Sequence, residues 1–111
     1  ILDQYRLDGE VAVVTGGGRG LGEGIAHALA EAGAAVVVAA RRAAEVEKVA
    51  ADIRAKGGQA LAVPTDVTNS QALEALAQAA VDGFGRLSIW VNNAGGSRAM
   101  GPRVELSPKD W

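Results

Sequence analysis

The chain contains no cysteine and a single histidine, His27, so it offers neither a disulfide framework nor the clustered ligands of a zinc site. Metal chemistry is set aside on that count. Charge is sparse as well: 22% of residues are charged and the net charge is -2, with acids and bases interspersed. Such a surface has no field that would gather a polyanion, which excludes nucleic acid as a main partner. No apolar run approaches the length that crosses a bilayer, and the first twenty residues lack the charged and apolar blocks of a secretory signal. A cytoplasmic protein with no membrane partner is expected. What the 111 residues do have is 49% hydrophobic content and a mean hydropathy of +0.12. That composition describes a folded chain of at most one domain.

The apolar residues repeat as strand then helix about every thirty residues, the length of a βαβ unit. Val11 to Val14 is a continuous apolar run, as expected of a strand covered on both faces. Leu21, Ile25, Ala26, Leu29 and Ala30 then recur at helical spacing, and Gly33 ends that helix. Ala35 to Ala40 is the second strand. Val46, Val49, Ala50 and Ile53 mark the second helix, which Gly57 and Gly58 stop. Ala60 to Val63 is the third strand. Asn69 is placed to cap a third helix with Leu73, Leu76, Ala77, Ala80 and Phe84 on its inner face, closed by Gly83 and Gly85. Leu87 to Val91 is the fourth strand. Strands alternating with helices in this way predict an α/β fold, a doubly wound parallel sheet with right-handed crossovers and helices on both faces.

Between the first strand and the first helix stands Thr15-Gly16-Gly17-Gly18-Arg19-Gly20-Leu21-Gly22. Glycine has no Cβ, so backbone amides in such a turn can approach a phosphate closely. The helix that follows aims its unsatisfied N–H groups and positive dipole end at the same place. The glycines at 16, 20 and 22 are spaced slightly wider than the common dinucleotide fingerprint. In an open parallel sheet, ligands bind beyond the carboxyl ends of the strands, where the strand order reverses. Four loops therefore converge on one predicted pocket: the glycine turn, Arg41-Arg42, Asp66-Val67, and Asn92-Asn93-Ala94-Gly95.

Together these stretches resemble the cofactor half of a short-chain dehydrogenase/reductase. The pattern T-G-x-x-x-G-x-G at 15–22, Asp66-Val67 after the third strand and Asn92-Asn93-Ala94-Gly95 after the fourth carry the resemblance, in order, over nearly the whole chain. It implies a Rossmann-type fold binding NAD or NADP, of which residues 1–111 make up the first four strands, the N-terminal portion of a longer single-domain enzyme. Gly16, Gly18, Arg19, Gly20 and Leu21 would surround the pyrophosphate and adenosine ribose. Asp66 would bond the adenine amino group and Val67 would pack near the ring, while Asn93, Ala94 and Gly95 would line the path to the nicotinamide ribose. Asn92 is by the same resemblance a structural residue tying strands together. The resemblance also implies a homo-oligomer, a tetramer or dimer.

Charge decides between the two nicotinamide cofactors. An NAD site places an acid near the end of the second strand, about twenty residues beyond the glycine loop, to bond the ribose 2′-hydroxyl. Here Ala39-Ala40-Arg41-Arg42 occupies that place and no acid precedes Glu45. Arginine presents a planar, permanently charged fork suited to a phosphate. NADP(H) is therefore expected over NAD(H), with Arg41 on the 2′-phosphate, Arg19 adding a second contact, and Arg42 a solvated surface charge.

Other conspicuous residues receive plainer readings. His27 is a surface or packing residue of the first helix, and Trp90 belongs to the core. Ser88 stands where the resembled family often carries aspartate, which puts a local hydrogen bond in question. Gly96 to Leu106 reads as a loop leaving the pocket, with Ser97, Arg98 and Met100 the positions nearest a substrate.

The resembled family transfers a proton with a tyrosine followed four positions later by a lysine, while hydride passes to or from the nicotinamide. The one tyrosine, Tyr5, is followed at that distance by Gly9, so no catalytic residue is expected in these 111 positions. Ser107-Pro108-Lys109-Asp110-Trp111 reads as the opening of a further helix. The fourth strand would also keep an open apolar edge, so the chain reads as the first part of a longer protein. The expected function is an NADP(H)-dependent interconversion of a secondary alcohol and a ketone, of 3-oxoacyl reductase or steroid or sugar dehydrogenase type. The alternatives are a non-catalytic dinucleotide-binding module and an S-adenosylmethionine-dependent methyltransferase, which Arg41 argues against. A kinase-type phosphate loop is disfavoured because no Lys-Ser or Lys-Thr follows the glycines.

Overall fold

Every residue of Val11–Thr15 (β1) is buried. Strand side chains alternate between two faces, so a strand stays dry along its whole length only when both faces are covered. The computed structural model, which describes residues 6–93 and the backbone of 103–106, shows how. After β1 come Gly20–Glu31 (α1), Ala35–Ala40 (β2), Ala43–Ala55 (α2), Gln59–Pro64 (β3), Ser70–Phe84 (α3), Ile89–Asn92 (β4) and Arg103–Leu106 (β5). The strands form one sheet in the order β3-β2-β1-β4-β5. The first four are parallel, with Val13 opposite Val37 on one side and Trp90 on the other.

The alternation sorts the core into two layers. Ala12, Val14, Val36, Val38 and Val91 meet Ala26 of α1 and Val46, Val49, Ala50 and Ile53 of α2. On the opposite face Val11, Val13, Ala35, Val37 and Ala39 meet Leu76, Ala77 and Ala80 of α3. Burial of each such valine or leucine contributes about 1.5–3 kcal/mol, which holds the three helices against the sheet. Trp90 is half-buried against the α3 layer. This is the doubly wound arrangement with helices on both faces that the periodicity predicts, and the Rossmann-type fold that the resemblance implies.

Local signals set the helix ends. The Asn69 side chain accepts a hydrogen bond from the Ala72 amide at 3.0 Å, so α3 begins with the expected cap. It ends at Gly85, whose φ of +89° is the left-handed conformation that closes helices. Gly83, expected to close α3 as well, lies inside it.

Two expectations about the fourth strand need correction. The strand ladder begins at Ile89 rather than Leu87; Ser88, just before it, donates its backbone amide to the Val11 carbonyl at 3.0 Å and also meets β1 with its hydroxyl. Ser88 Oγ accepts from the Val11 amide at 3.0 Å and lies 3.3 Å from the Val11 carbonyl oxygen, to which it can donate. Serine at this position thus makes a local hydrogen bond of its own. Residues 103–106, read as part of a loop, form β5 instead, antiparallel to β4 with Asn92 opposite Arg103 and Ile89 opposite Leu106. An edge strand presents a row of unpaired N–H and C=O groups, and pairing with β5 satisfies the edge expected to stay open. The polar-apolar alternation of Arg103-Val104-Glu105-Leu106 is a strand signal that Gly101-Pro102 obscures. Ser97, Arg98, Met100 and the helix opening at 107–111 lie outside the described residues, as do Ala94 and Gly95.

Candidate functional site

The glycine turn is built from both ends. At its start the Gly16 and Gly17 amides donate to the Ala39 carbonyl at 2.7 and 3.2 Å, tying the turn to the end of β2. Gly16 and Gly20 have φ of +69° and +61°, which side chains with a Cβ rarely adopt. A Cβ on Gly22 would collide with the Gly16 carbonyl oxygen and stand 2.7 Å from Asn93 Nδ2. Glycine at 22 is thus what lets the first turn of α1 settle onto the loop.

Past this anchor the amides are unspent. Among the described residues no acceptor meets the backbone N–H groups of Gly18 through Gly22. Arg19, the N-cap of α1, is extended and supplies no side-chain cap. An uncapped helix start with several free amides is a site for an anion. Helix α2, which opens after Arg42, also begins without a side-chain cap.

These features border a cleft of about 550 Å³ at the carboxyl ends of the parallel strands. Gly16, Gly18 and Arg19 line it from the glycine turn, Arg41 and Arg42 from the end of β2, Asp66, Val67 and Thr68 from the loop after β3, and Asn93 from the end of β4. Seven residues expected at the site, Asn93 among them, are thereby brought to one place. Arg42, expected to be a plain surface charge, also lines the cleft although it is exposed. Gly20 and Leu21 open α1 beside the cleft without lining it, and Leu21 is 60% exposed, the one large apolar side chain so exposed among the described residues.

Asp66 is held in a tight local turn. Its Oδ1 accepts from the Thr68 hydroxyl at 2.6 Å and from the Thr68 amide at 3.0 Å. Those two bonds, with the Arg41 charge nearby, hold its carboxyl below the usual carboxylate range against the opposing effect of partial desolvation. Asp66 therefore faces the cleft as an anion.

On the far side Thr15 joins the ends of β1 and β4. Its buried hydroxyl lies 3.2 Å from Asn92 Oδ1 and 3.3 Å from the Val91 carbonyl, and accepts from the Asn93 amide at 3.0 Å. Asn93 Nδ2 reaches the Gly16 carbonyl at 3.4 Å. Asn92 is thus a tie between strands, as the resemblance implies.

Two arrangements escape a reading along the chain. Glu45, noted there only as an acid too late for the end of β2, lines the same cleft. Its Oε2 is 3.8 Å from Arg42 Nη1. Away from the cleft, Asp52 of α2 comes to Glu23 and His27 of α1, with one ligand atom of each within 4.8 Å of the others. The i,i+4 spacing of Glu23 and His27 signals their shared face, but nothing along the chain places Asp52 beside them.

Residues 10–111 match the family described as short chain dehydrogenase. Over 94 residues the chain is 47% identical to the 7alpha-hydroxysteroid dehydrogenase of Escherichia coli strain K12, covering 85% of this chain and 37% of that protein. It is 44% identical over 108 residues to the galactitol 2-dehydrogenase of Rhizobium johnstonii, covering 97% and 42%. The fold superposes with a TM-score of 0.82 on a 7 alpha-hydroxysteroid dehydrogenase solved with NADH and 7-oxo glycochenodeoxycholic acid, at 47% identity and over 85% of this chain and 37% of that one. The chain thus spans well under half the length of these relatives.

Proposed function

The chain belongs to the short-chain dehydrogenase family, and from that premise we propose that it forms the cofactor-holding half of an NADP(H)-dependent oxidoreductase that interconverts a secondary alcohol and a ketone. One observation carries this reading. The free amides of Gly18 and Arg19, just before α1, and the Arg41 guanidinium border a single cleft, and the end of β2 supplies no acid to repel a phosphate. The residues present fit a dinucleotide: the glycine turn and uncapped helix take the pyrophosphate, and Arg41, with Arg19, takes the 2′-phosphate. Arg41 makes no hydrogen bond or ion pair with a described residue, so its donors are available. Asp66, Val67 and Asn93 flank the adenine and the nicotinamide ribose, with Ala94 and Gly95 continuing that path.

When bound, the cofactor supplies hydride to or from the substrate carbon. The chain itself positions it and offers no tyrosine followed four places on by lysine. The proton-transfer groups in this proposal belong to the rest of the protein. A steroid, sugar or 3-oxoacyl substrate is the class proposed, the first two supported by the named activities of the relatives. A homo-oligomer in the cytoplasm is part of the same reading; among the described residues no helix is long and apolar enough to cross a membrane. The methyltransferase alternative loses its support with the family match.

The test is a pair of dissociation constants, for NADPH and NADH, in the full-length protein and its Arg41→Asp variant. The substitution is expected to weaken NADPH by at least tenfold and to leave NADH unchanged or tighter. An unchanged preference would remove Arg41 from the 2′-phosphate.

A further inference from the structure

We propose that Glu45 sets how strongly this cleft prefers NADP(H) over NAD(H), by holding a carboxylate where the 2′-phosphate has to be received. The inference rests on the cofactor reading above and deepens it. Three observations place the group. Glu45 is the third residue of α2, in the first turn beyond Arg41-Arg42, and its side chain lines the cleft together with Arg19, Arg41 and Arg42. It reaches across to the glycine turn: a Cβ built on Gly18 would lie 2.9 Å from Glu45 Cβ and 3.1 Å from Glu45 Oε1. Its other oxygen stands 3.8 Å from Arg42 Nη1, with 29% of the side chain exposed.

The carboxylate is thus wedged between the loop that would hold the pyrophosphate and one of the arginines near the ribose. Its chemistry toward the two cofactors is opposite. A ribose 2′-hydroxyl can donate a hydrogen bond to a carboxylate, whereas a 2′-phosphate has only acceptors to offer at neutral pH and carries a like charge. Glu45 also engages Arg42, which takes part of one guanidinium's field away from an incoming phosphate. The cleft therefore combines an attractive element, Arg41, with a repulsive one, Glu45. Selectivity is the difference between them. The acid that is missing at the end of β2 is replaced in space by one from the next helix, so discrimination against NAD(H) is weaker than the arginines alone would produce.

Replacing Glu45 with glutamine keeps the shape and removes the charge. The probes are adenosine 2′,5′-bisphosphate and adenosine 5′-monophosphate, which differ only in the 2′-phosphate and need no catalysis, followed by NADPH and NADH, all on the full-length protein. E45Q is expected to tighten the 2′-phosphorylated ligands by about tenfold and to leave the others unchanged or weaker, and Glu45→Lys is expected to go further in the same direction. A ratio unchanged in both variants, while R41A weakens the 2′-phosphorylated ligands, overturns the role of Glu45 alone. No effect of R41A on that ratio overturns the underlying NADP(H) reading instead. A melting temperature for each variant separates lost binding from lost fold.

Discussion

The Asn93 backbone amide donates to Thr15 Oγ1 at 3.0 Å, so the residue that leaves β4 for the cleft is fixed by the last residue of β1. The same hydroxyl has one proton to give and two acceptors within reach, Asn92 Oδ1 and the Val91 carbonyl. It sits where two neighbouring parallel strands stop and their following segments part. That is the switch point at which sheets of this kind bind ligands.

Thr15→Val preserves volume and removes the hydroxyl. It leaves the Asn93 amide without this acceptor at the rim of a buried region, which is expected to cost about 1–3 kcal/mol of stability. Asn93 also steadies the Gly16 carbonyl, so the variant should bind NADPH more weakly. Urea unfolding and a cofactor titration check the two effects, and unchanged values in both would remove Thr15 from its role.

Two glycines of α1 make a paired test. A Cβ on Gly22 meets the Gly16 carbonyl oxygen, whereas one on Gly24 meets nothing within 4 Å. Gly22→Ala is expected to displace the glycine turn, costing about 1–3 kcal/mol and most of the cofactor affinity. Gly24→Ala should stabilise the protein by about 0.4–1 kcal/mol through the unfolded chain and helix propensity, with binding unaffected. Equal melting temperatures for the two variants would contradict the packing described.

Ser88 offers a third test. Val11 is buried, and its amide donates to Ser88 Oγ. Ser88→Ala leaves that amide unpaired and is expected to lower stability by about 1–3 kcal/mol. Ser88→Asp restores an acceptor and should recover most of the loss. Chemical denaturation of the three proteins decides, and an alanine variant as stable as the parent would show that the bond is dispensable.

The lowered pKa of Asp66 has a definite sign. A carboxylate whose pKa is depressed by folding contributes stability above its unfolded pKa, and that contribution is lost as pH falls through the folded value. The Asp66–Thr68 turn should therefore hold at neutral pH and loosen only in acid below the usual carboxylate range. Carboxyl carbon shifts followed by NMR should give a midpoint below that range, and Thr68→Val should move it upward. A midpoint unaffected by the substitution would show that Thr68 is not the cause.

The strands and helices of residues 11–92 were legible because their signals are local. Val11 to Val14 and Ala35 to Ala40 read as fully covered strands from composition alone, and Asn69 and Gly85 mark helix ends by their own chemistry. The cleft was legible for a different reason: loops after parallel strands must share one edge of the sheet. What stayed hidden depends on distance in space. Nothing along the chain says that Glu45 folds back over Gly18, that the Ser88 hydroxyl meets the Val11 amide, or that Asp52 meets Glu23 and His27. The strand at 103–106 was hidden by the glycine and proline beside it, although its alternation was there to see.

Helix α1 begins with no side chain closing its first turn. On the cofactor reading proposed above, the dinucleotide would close that turn and so act as a structural component of the fold. At a free concentration 100 times its dissociation constant such a ligand adds about 2.7 kcal/mol to the folded state. On the same reading, the stability of the fold would follow the free dinucleotide concentration, falling while the site is still largely filled.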